Sequence, residues 1–172
     1  MKPKTVQELV ETIGAIADKA PSLPVMYYHY PALYTVDFDM AEFLQLASQT
    51  KSNGGIPSLH GVKYIDGDMK TLVRATGVTN DNNLRDNGNV SSTYTLYNND
   101  PLLAGMVMGS KGAISYTNIF PLVAQMRAAF ARGDMAAAQA VQRQVLQWDA
   151  LISTFGGKSA ARNLPLLFGM ST

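Results

Sequence analysis

Gly61-Val62-Lys63-Tyr64-Ile65 sets a lysine in the middle of a short apolar run. Such a run reads as a buried strand, and the helical turn pattern that follows it around Asp68 to Ala75 makes a strand–helix unit. Upstream, Val25-Met26-Tyr27-Tyr28-His29-Tyr30-Pro31-Ala32-Leu33 has the same character. Its strand-like stretch, Leu23 to Tyr30, is closed by Pro31, because the residue before a proline is pushed towards extended backbone. A lysine enclosed in an apolar strand loses hydration, which disfavours the ammonium form and makes the nucleophilic amine accessible. Two plainer readings stand beside this one. Lys63 could occupy a solvent-facing edge position with its ammonium in water, and Tyr28 could be a core or interface aromatic with a satisfied hydroxyl.

Outward from these two stretches, strands alternate with helices. Thr5 with Glu8 has the spacing of a capping box, and Val6, Leu9, Val10, Ile13 and Ala17 recur at helical intervals. Asp39 with Glu42 opens a second helix, with Met40, Phe43, Leu44 and Ala47 on its apolar side. Thr50 to Gly55 reads as a surface loop and Gly77 to Asn89, rich in Asn and Asp, as a long one. Thr93 to Tyr97 and Gly112 to Tyr116 are further strands, with a short helix from Leu102 to Met108 between them. Helices are expected from Pro121 to Ala131 and from Met135 to Ser153, the latter ended by Gly156-Gly157, and a last helical stretch from Ala160 to Phe168. Four strands interleaved with helices predict an α/β protein with a parallel sheet covered on both faces. Either a small doubly wound sheet or part of a (β/α)8 barrel satisfies that pattern, a whole barrel needing roughly 250 residues. In both, chemistry collects at the C-terminal ends of strands, where Tyr28, Lys63, Asp100 and Ser115 fall.

Composition narrows the class. The chain has 172 residues, 47% of them apolar and 16% charged, which is enough for a substantial core. A net charge of +1 without a basic run gives no case for nucleic acid or an anionic membrane as a partner. No apolar stretch approaches the ~18 residues of a spanning helix, and Met1-Lys2-Pro3-Lys4 does not open a secretory signal. With no cysteine there is no disulfide, zinc–thiolate site or cysteine nucleophile. Two histidines, His29 and His60, are too few for a His-rich metal site, so a cytoplasmic protein without a metal is the expectation.

Tyr27-Tyr28-His29-Tyr30-Pro31-Ala32-Leu33, Gly61-Val62-Lys63-Tyr64 and Met108-Gly109-Ser110-Lys111-Gly112-Ala113-Ile114-Ser115-Tyr116-Thr117-Asn118 stand in an order that resembles the N-acetylneuraminate lyases. These are sialic acid aldolases of the dihydrodipicolinate synthase superfamily. The likeness runs from about Lys2 to Phe168 and covers the second half of a family member. Leu33 stands where the synthases typically carry an arginine, and the double tyrosine with His29 resembles the animal-type lyases.

The resemblance implies a (β/α)8 TIM-barrel fold, present as a C-terminal half barrel of about four βα units with trailing helices, in one partial domain over residues 1–172. It implies a class I aldolase that cleaves N-acetylneuraminate to N-acetylmannosamine and pyruvate without a cofactor, through a covalent Schiff base on Lys63. Tyr28 would carry the proton, and Asp100, Ser115 and Asn98 would lie at substrate-binding positions. A small 2-keto acid or sugar acid is the implied substrate, and a homo-oligomer the implied assembly.

Departures from the family pattern bear on substrate. Ile65 replaces a Thr or Ser, Asn98 a Gly, and Pro101 a hydroxyl-binding Glu, which points to altered scope or another 2-keto acid. The first four βα units, with the loop that grips the substrate carboxylate, have no counterpart in these residues. A non-catalytic assembly or regulatory half-barrel subunit is therefore an alternative, and a self-sufficient small α/β binding protein a third.

Overall fold

A computed structural model describes residues 2–34, 36–80, 95–98, 101–115 and 119–157. By contacts the chain divides into two compact units, Met1–Asn99 with Ala104–Gly112, and Asp100–Leu103 with Ala113–Thr172.

The first unit begins with α1 (Val6–Ala17). Thr5 caps it by accepting the Glu8 N–H at 3.1 Å, while the Glu8 carboxylate reaches back to the Lys4 N–H at 2.7 Å. Next come β1 (Val25–His29) and α2 (Pro31–Tyr34). Pro31 therefore closes the strand as expected and also opens a helical turn, since a proline at the first helical position has no donor to waste. α3 (Met40–Ala47) is capped by Asp39, which accepts from the Ala41 and Glu42 N–H groups. A 3-10 turn at Lys51–Asn53 leads to β2 (Leu59–Tyr64) and α4 (Met69–Asn80). The expected loop from Gly77 is corrected at its start: residues 77–80 continue α4, and residues 81–89 lie outside the described ones.

β3 (Thr95–Asn98) follows, and then α5 (Leu102–Val107) and β4 (Gly112–Ala113), which have residues in both units. The fourth strand is shorter than the sequence pattern predicts. Ser110 anchors its start, donating from Oγ to Leu96 O at 2.8 Å and Gly112 O at 3.0 Å, but Ile114 and Ser115 are not strand, and Tyr116 is not described. In the second unit α6 (Phe120–Ala131) and α7 (Met135–Thr154) form a helical hairpin about Gly133, whose φ of 76° suits only glycine without strain. The helical stretch expected over Ala160 to Phe168 lies outside the described residues.

The sheet runs β1-β2-β3-β4, with β1, β2 and β3 parallel. Register sets Tyr28 beside Lys63 and Lys63 beside Tyr97; on the alternate face it sets Tyr27 beside Val62 and Val62 beside Leu96. That alternate face packs under α1, α3 and α4, where Val10, Phe43, Leu44, Val62, Leu72, Ala75 and Leu96 are buried. Fully burying a side chain of the Leu or Phe class contributes about 1.5–3 kcal/mol, so this layer is what fixes the register of the other face. Gly61 lies on the Lys63 face, where a Cβ would stand only 2.1 Å from Thr95 O, so β3 can approach β2 this closely only over a glycine.

Candidate active site

The Lys63 face begins with three aligned positions. Because neighbouring parallel strands in register point partnered side chains the same way, Tyr28, Lys63 and Tyr97 form a row across β1, β2 and β3. All three are half-buried. Lys63 Nζ lies 4.1 Å from the centroid of the Tyr28 ring, a cation–π contact worth about 0.5–1 kcal/mol when exposed and about 2 when desolvated. Tyr28 in turn stacks with Tyr30 at 5.9 Å between centroids. The ladder continues past the lysine, with Ile65 N–H donating to His29 O at 2.9 Å, so both strands keep their pairing up to their C-terminal ends.

Tyr97 was not singled out by its sequence. The signal was available in the alternation of the Thr93-to-Tyr97 strand, but which alternate set faces the lysine depends on register with β2. Its ring covers Gly112 so closely that a Cβ there would fall 1.9 Å from a ring carbon. A glycine at the start of β4 thus gives the Tyr97 ring its place.

The other residues expected at the site are less fully placed. Asn98 pairs in register with Tyr64, one step beyond the Lys63–Tyr97 pair. Ser115 is half-buried and belongs to the second unit. Asp100 lies outside the described residues. Ile65 is half-buried and Pro101 exposed, and neither brings a hydroxyl or a carboxylate.

The opposite face of the same strand ends carries a second polar group. His29 is 1% exposed and stacks on Tyr64 at 5.3 Å. Burial pushes its imidazole below the ordinary histidine range, against the nearby carboxylates of Asp37 and Asp66. Burial likewise pushes the Tyr64 phenol well up, with Asp66 and Asp68 adding to it; its hydroxyl donates to Asp68 O at 2.8 Å.

Residues 1–157 match the dihydrodipicolinate synthetase family. The N-acetylneuraminate lyase of Xenopus tropicalis is 30% identical over 149 residues, 83% of this chain and 42% of that protein. The 4-hydroxy-tetrahydrodipicolinate synthase of Hyphomonas neptunium is 31% identical over 141 residues, 80% of this chain and 43% of the relative. Among solved structures, Proteus mirabilis N-acetylneuraminate lyase superposes with a TM-score of 0.76 at 26% identity, over 99% of this chain and 53% of that one. The N-acetylneuraminate lyase of Aliivibrio salmonicida gives 0.78 at 25% identity, over 99% and 52%. The chain thus spans about two fifths of the length of the curated relatives and about half of the solved structures.

Proposed function

This chain belongs to the dihydrodipicolinate synthetase family, with the fold of half a (β/α)8 barrel, and from that premise we propose that it carries the imine-forming part of a class I aldolase site. Lys63 is the nucleophile and Tyr28 the proton carrier. The observation that supports this most is their alignment at the ends of adjacent parallel strands, with Nζ 4.1 Å from the Tyr28 ring.

In this reading the neutral Lys63 amine adds to the ketone carbon of a 2-keto acid, and loss of water leaves an imine. Kept protonated on nitrogen because Tyr28 gives its phenol proton to the departing water, the imine accepts the electron pair of the breaking carbon–carbon bond and becomes a neutral enamine. Tyr28 takes the proton from the substrate hydroxyl as an aldehyde forms and leaves. Protonation of the enamine carbon and hydrolysis then release pyruvate and restore the amine. The atoms balance without a cofactor. N-acetylneuraminate, giving N-acetylmannosamine and pyruvate, is the substrate proposed, and Asp100, Ser115 and Asn98 are proposed to bind it on the family resemblance alone. Both lyases and a synthase stand near 30% identity, so another 2-keto acid is the alternative substrate, one that does not need the hydroxyl missing at Ile65 or the carboxylate missing at Pro101.

Pyruvate with borohydride should add the reduced pyruvyl mass to the peptide carrying Lys63. Lys63→Arg should abolish the adduct, because arginine stays protonated and cannot form the imine. An adduct elsewhere, or one that survives the substitution, would overturn the assignment.

A second reading concerns assembly. Among the described residues β1 pairs with β2 alone, so its other edge presents backbone donors and acceptors that a second chain could pair. We propose a homo-oligomer, which would also serve a non-catalytic subunit. Sedimentation of residues 1–172 should show dimers or larger species, and a sharp monomer with a cooperative melt would sink this reading.

A further inference from the structure

We propose that His29, Asp37 and Asp66 form a divalent metal site of zinc type on the helix-covered side of β1 and β2, opposite the Lys63 row. The buried imidazole points to it first. His29 Nε2 is buried and has no hydrogen-bond partner among the described residues, in a side chain only 1% exposed, and a buried polar atom of this kind calls for one. The two groups that face it are carboxylates, Asp37 Oδ1 at 3.6 Å and Asp66 Oδ2 at 3.8 Å.

Those distances are informative. Both are longer than the ~2.7–3.2 Å of an N–H···O hydrogen bond. Ligand atoms around a tetrahedral ion with bonds of about 2.0–2.2 Å stand roughly 3.3–3.6 Å apart. The three donor atoms all lie within 4.8 Å of one another, so side-chain rotations that move a carboxylate oxygen by about an ångström would bring all three to one ion. One imidazole and two carboxylates form an N/O donor set suited to zinc, whereas magnesium and calcium take oxygen ligands. With a neutral imidazole the trio carries two negative charges, which a divalent cation offsets.

The surroundings fit a bound ion. Asp37 is 69% exposed and Asp66 20%, so water reaches the outer side and a fourth ligand has room. Asp66 is oriented from behind: its Oδ1 accepts the Asp68 N–H at 3.2 Å, and the Tyr64 hydroxyl lies 3.5 Å from its Oδ2. The Tyr64 ring holds the imidazole plane by stacking. Outer partners of this kind set ligand orientation in metal sites. His29 follows Tyr28 directly, and Asp66 lies shortly after Lys63. An ion here would join the C-terminal ends of β1 and β2 and hold the Tyr28–Lys63 alignment from the far side of the sheet. Its role is structural, and the proposal stands apart from the imine chemistry.

Zinc chloride titrated calorimetrically into the EDTA-treated chain should bind at one ion per chain and raise the melting temperature. Cobalt(II) should bind there with the intense visible bands of tetrahedral coordination. Asp37→Asn, at an exposed position that does not threaten folding, should weaken zinc binding at least about tenfold, as should Asp66→Asn. His60→Gln, which alters the other histidine, and Lys63→Arg should bind zinc like the parent chain. No saturable binding at micromolar zinc, or binding that Asp37→Asn leaves unchanged, would overturn the proposal and leave a water-bridged cluster. If His29→Gln fails to fold, the Asp37 variant still decides.

Discussion

The two faces of the β1–β2 pair are built from the same short strands yet carry opposite kinds of environment. On one face Tyr28, Lys63 and Tyr97 are half-buried, with glycines at 61 and 112 beside them. On the other, Val62, Tyr64 and Leu96 are buried beneath α1, α3 and α4. A strand alternates sides at every residue, so a slip of one position would exchange the two sets completely. The difference teaches that the packed face defines the register, and the register in turn brings Lys63 against Tyr28. Stability and the proposed chemistry thus fall on opposite sides of one backbone, and substitutions should separate them.

The largest effect is expected at Tyr28. Tyr28→Phe keeps the ring that Lys63 Nζ approaches and removes the phenol proton, so imine trapping by pyruvate should persist. In the proposed cleavage of N-acetylneuraminate, pyruvate release should fall by roughly 10²–10⁴-fold, the usual contribution of a general acid–base group. An unchanged turnover would return Tyr28 to the role of a packing aromatic and break the division between faces.

Phe43→Ala probes the packed side. Phe43 is fully buried against the core and its ring meets Tyr27 at 5.1 Å, so truncation should cost about 3–5 kcal/mol in denaturant unfolding. The fraction that remains folded should still form the pyruvyl adduct. A stable variant that loses the adduct would mean that register is not what links the two faces.

Tyr64→Phe is a finer test on the same side. It deletes a hydroxyl that donates to Asp68 O at 2.8 Å, at an acceptor water can reach, so the loss should be about 0.5–1.5 kcal/mol. Chemical unfolding of the metal-free chain measures it without contribution from a bound ion. A loss of several kcal/mol would show that Tyr64 anchors more than its own turn.

The smallest effect is expected far from both faces. Lys51 and Asp18 form an exposed pair at 2.6 Å, each 53% exposed, and Asp18→Asn should change stability by about 0.2–1 kcal/mol at low salt, less as salt is raised. A salt-independent loss would point to a structural role for Asp18 beyond the charge.

Much of the architecture was legible in local pattern. The caps at Thr5 and Asp39, the helical spacing of Val6, Leu9 and Val10, and the stop at Pro31 act within a few residues, and the elements begin where those signals place them. Legibility failed where tertiary contacts overrode local composition. Gly77 to Asn80 is polar and glycine-containing yet helical, because α4 is held against α3 and the sheet by Leu72, Ala75 and Val78. The strand expected to reach Tyr116 stops at Ala113 because ladder length depends on a neighbour that local sequence does not contain.

Sequence by itself determined the order of strands and helices, the lysine on an apolar strand and the family that this pattern resembles, since periodicity, caps and motif spacing are properties of neighbouring residues. Only the tertiary structure decided which distant residues meet. Parallel register, set by the packing of Val62 and Leu96, aligned Lys63 with Tyr28 and Tyr97. The same folding carried Asp37 and Asp66 to a histidine whose burial no local pattern announces. A parallel crossover brings together segments separated by a whole helix, and the side chains that touch across it are chosen by packing.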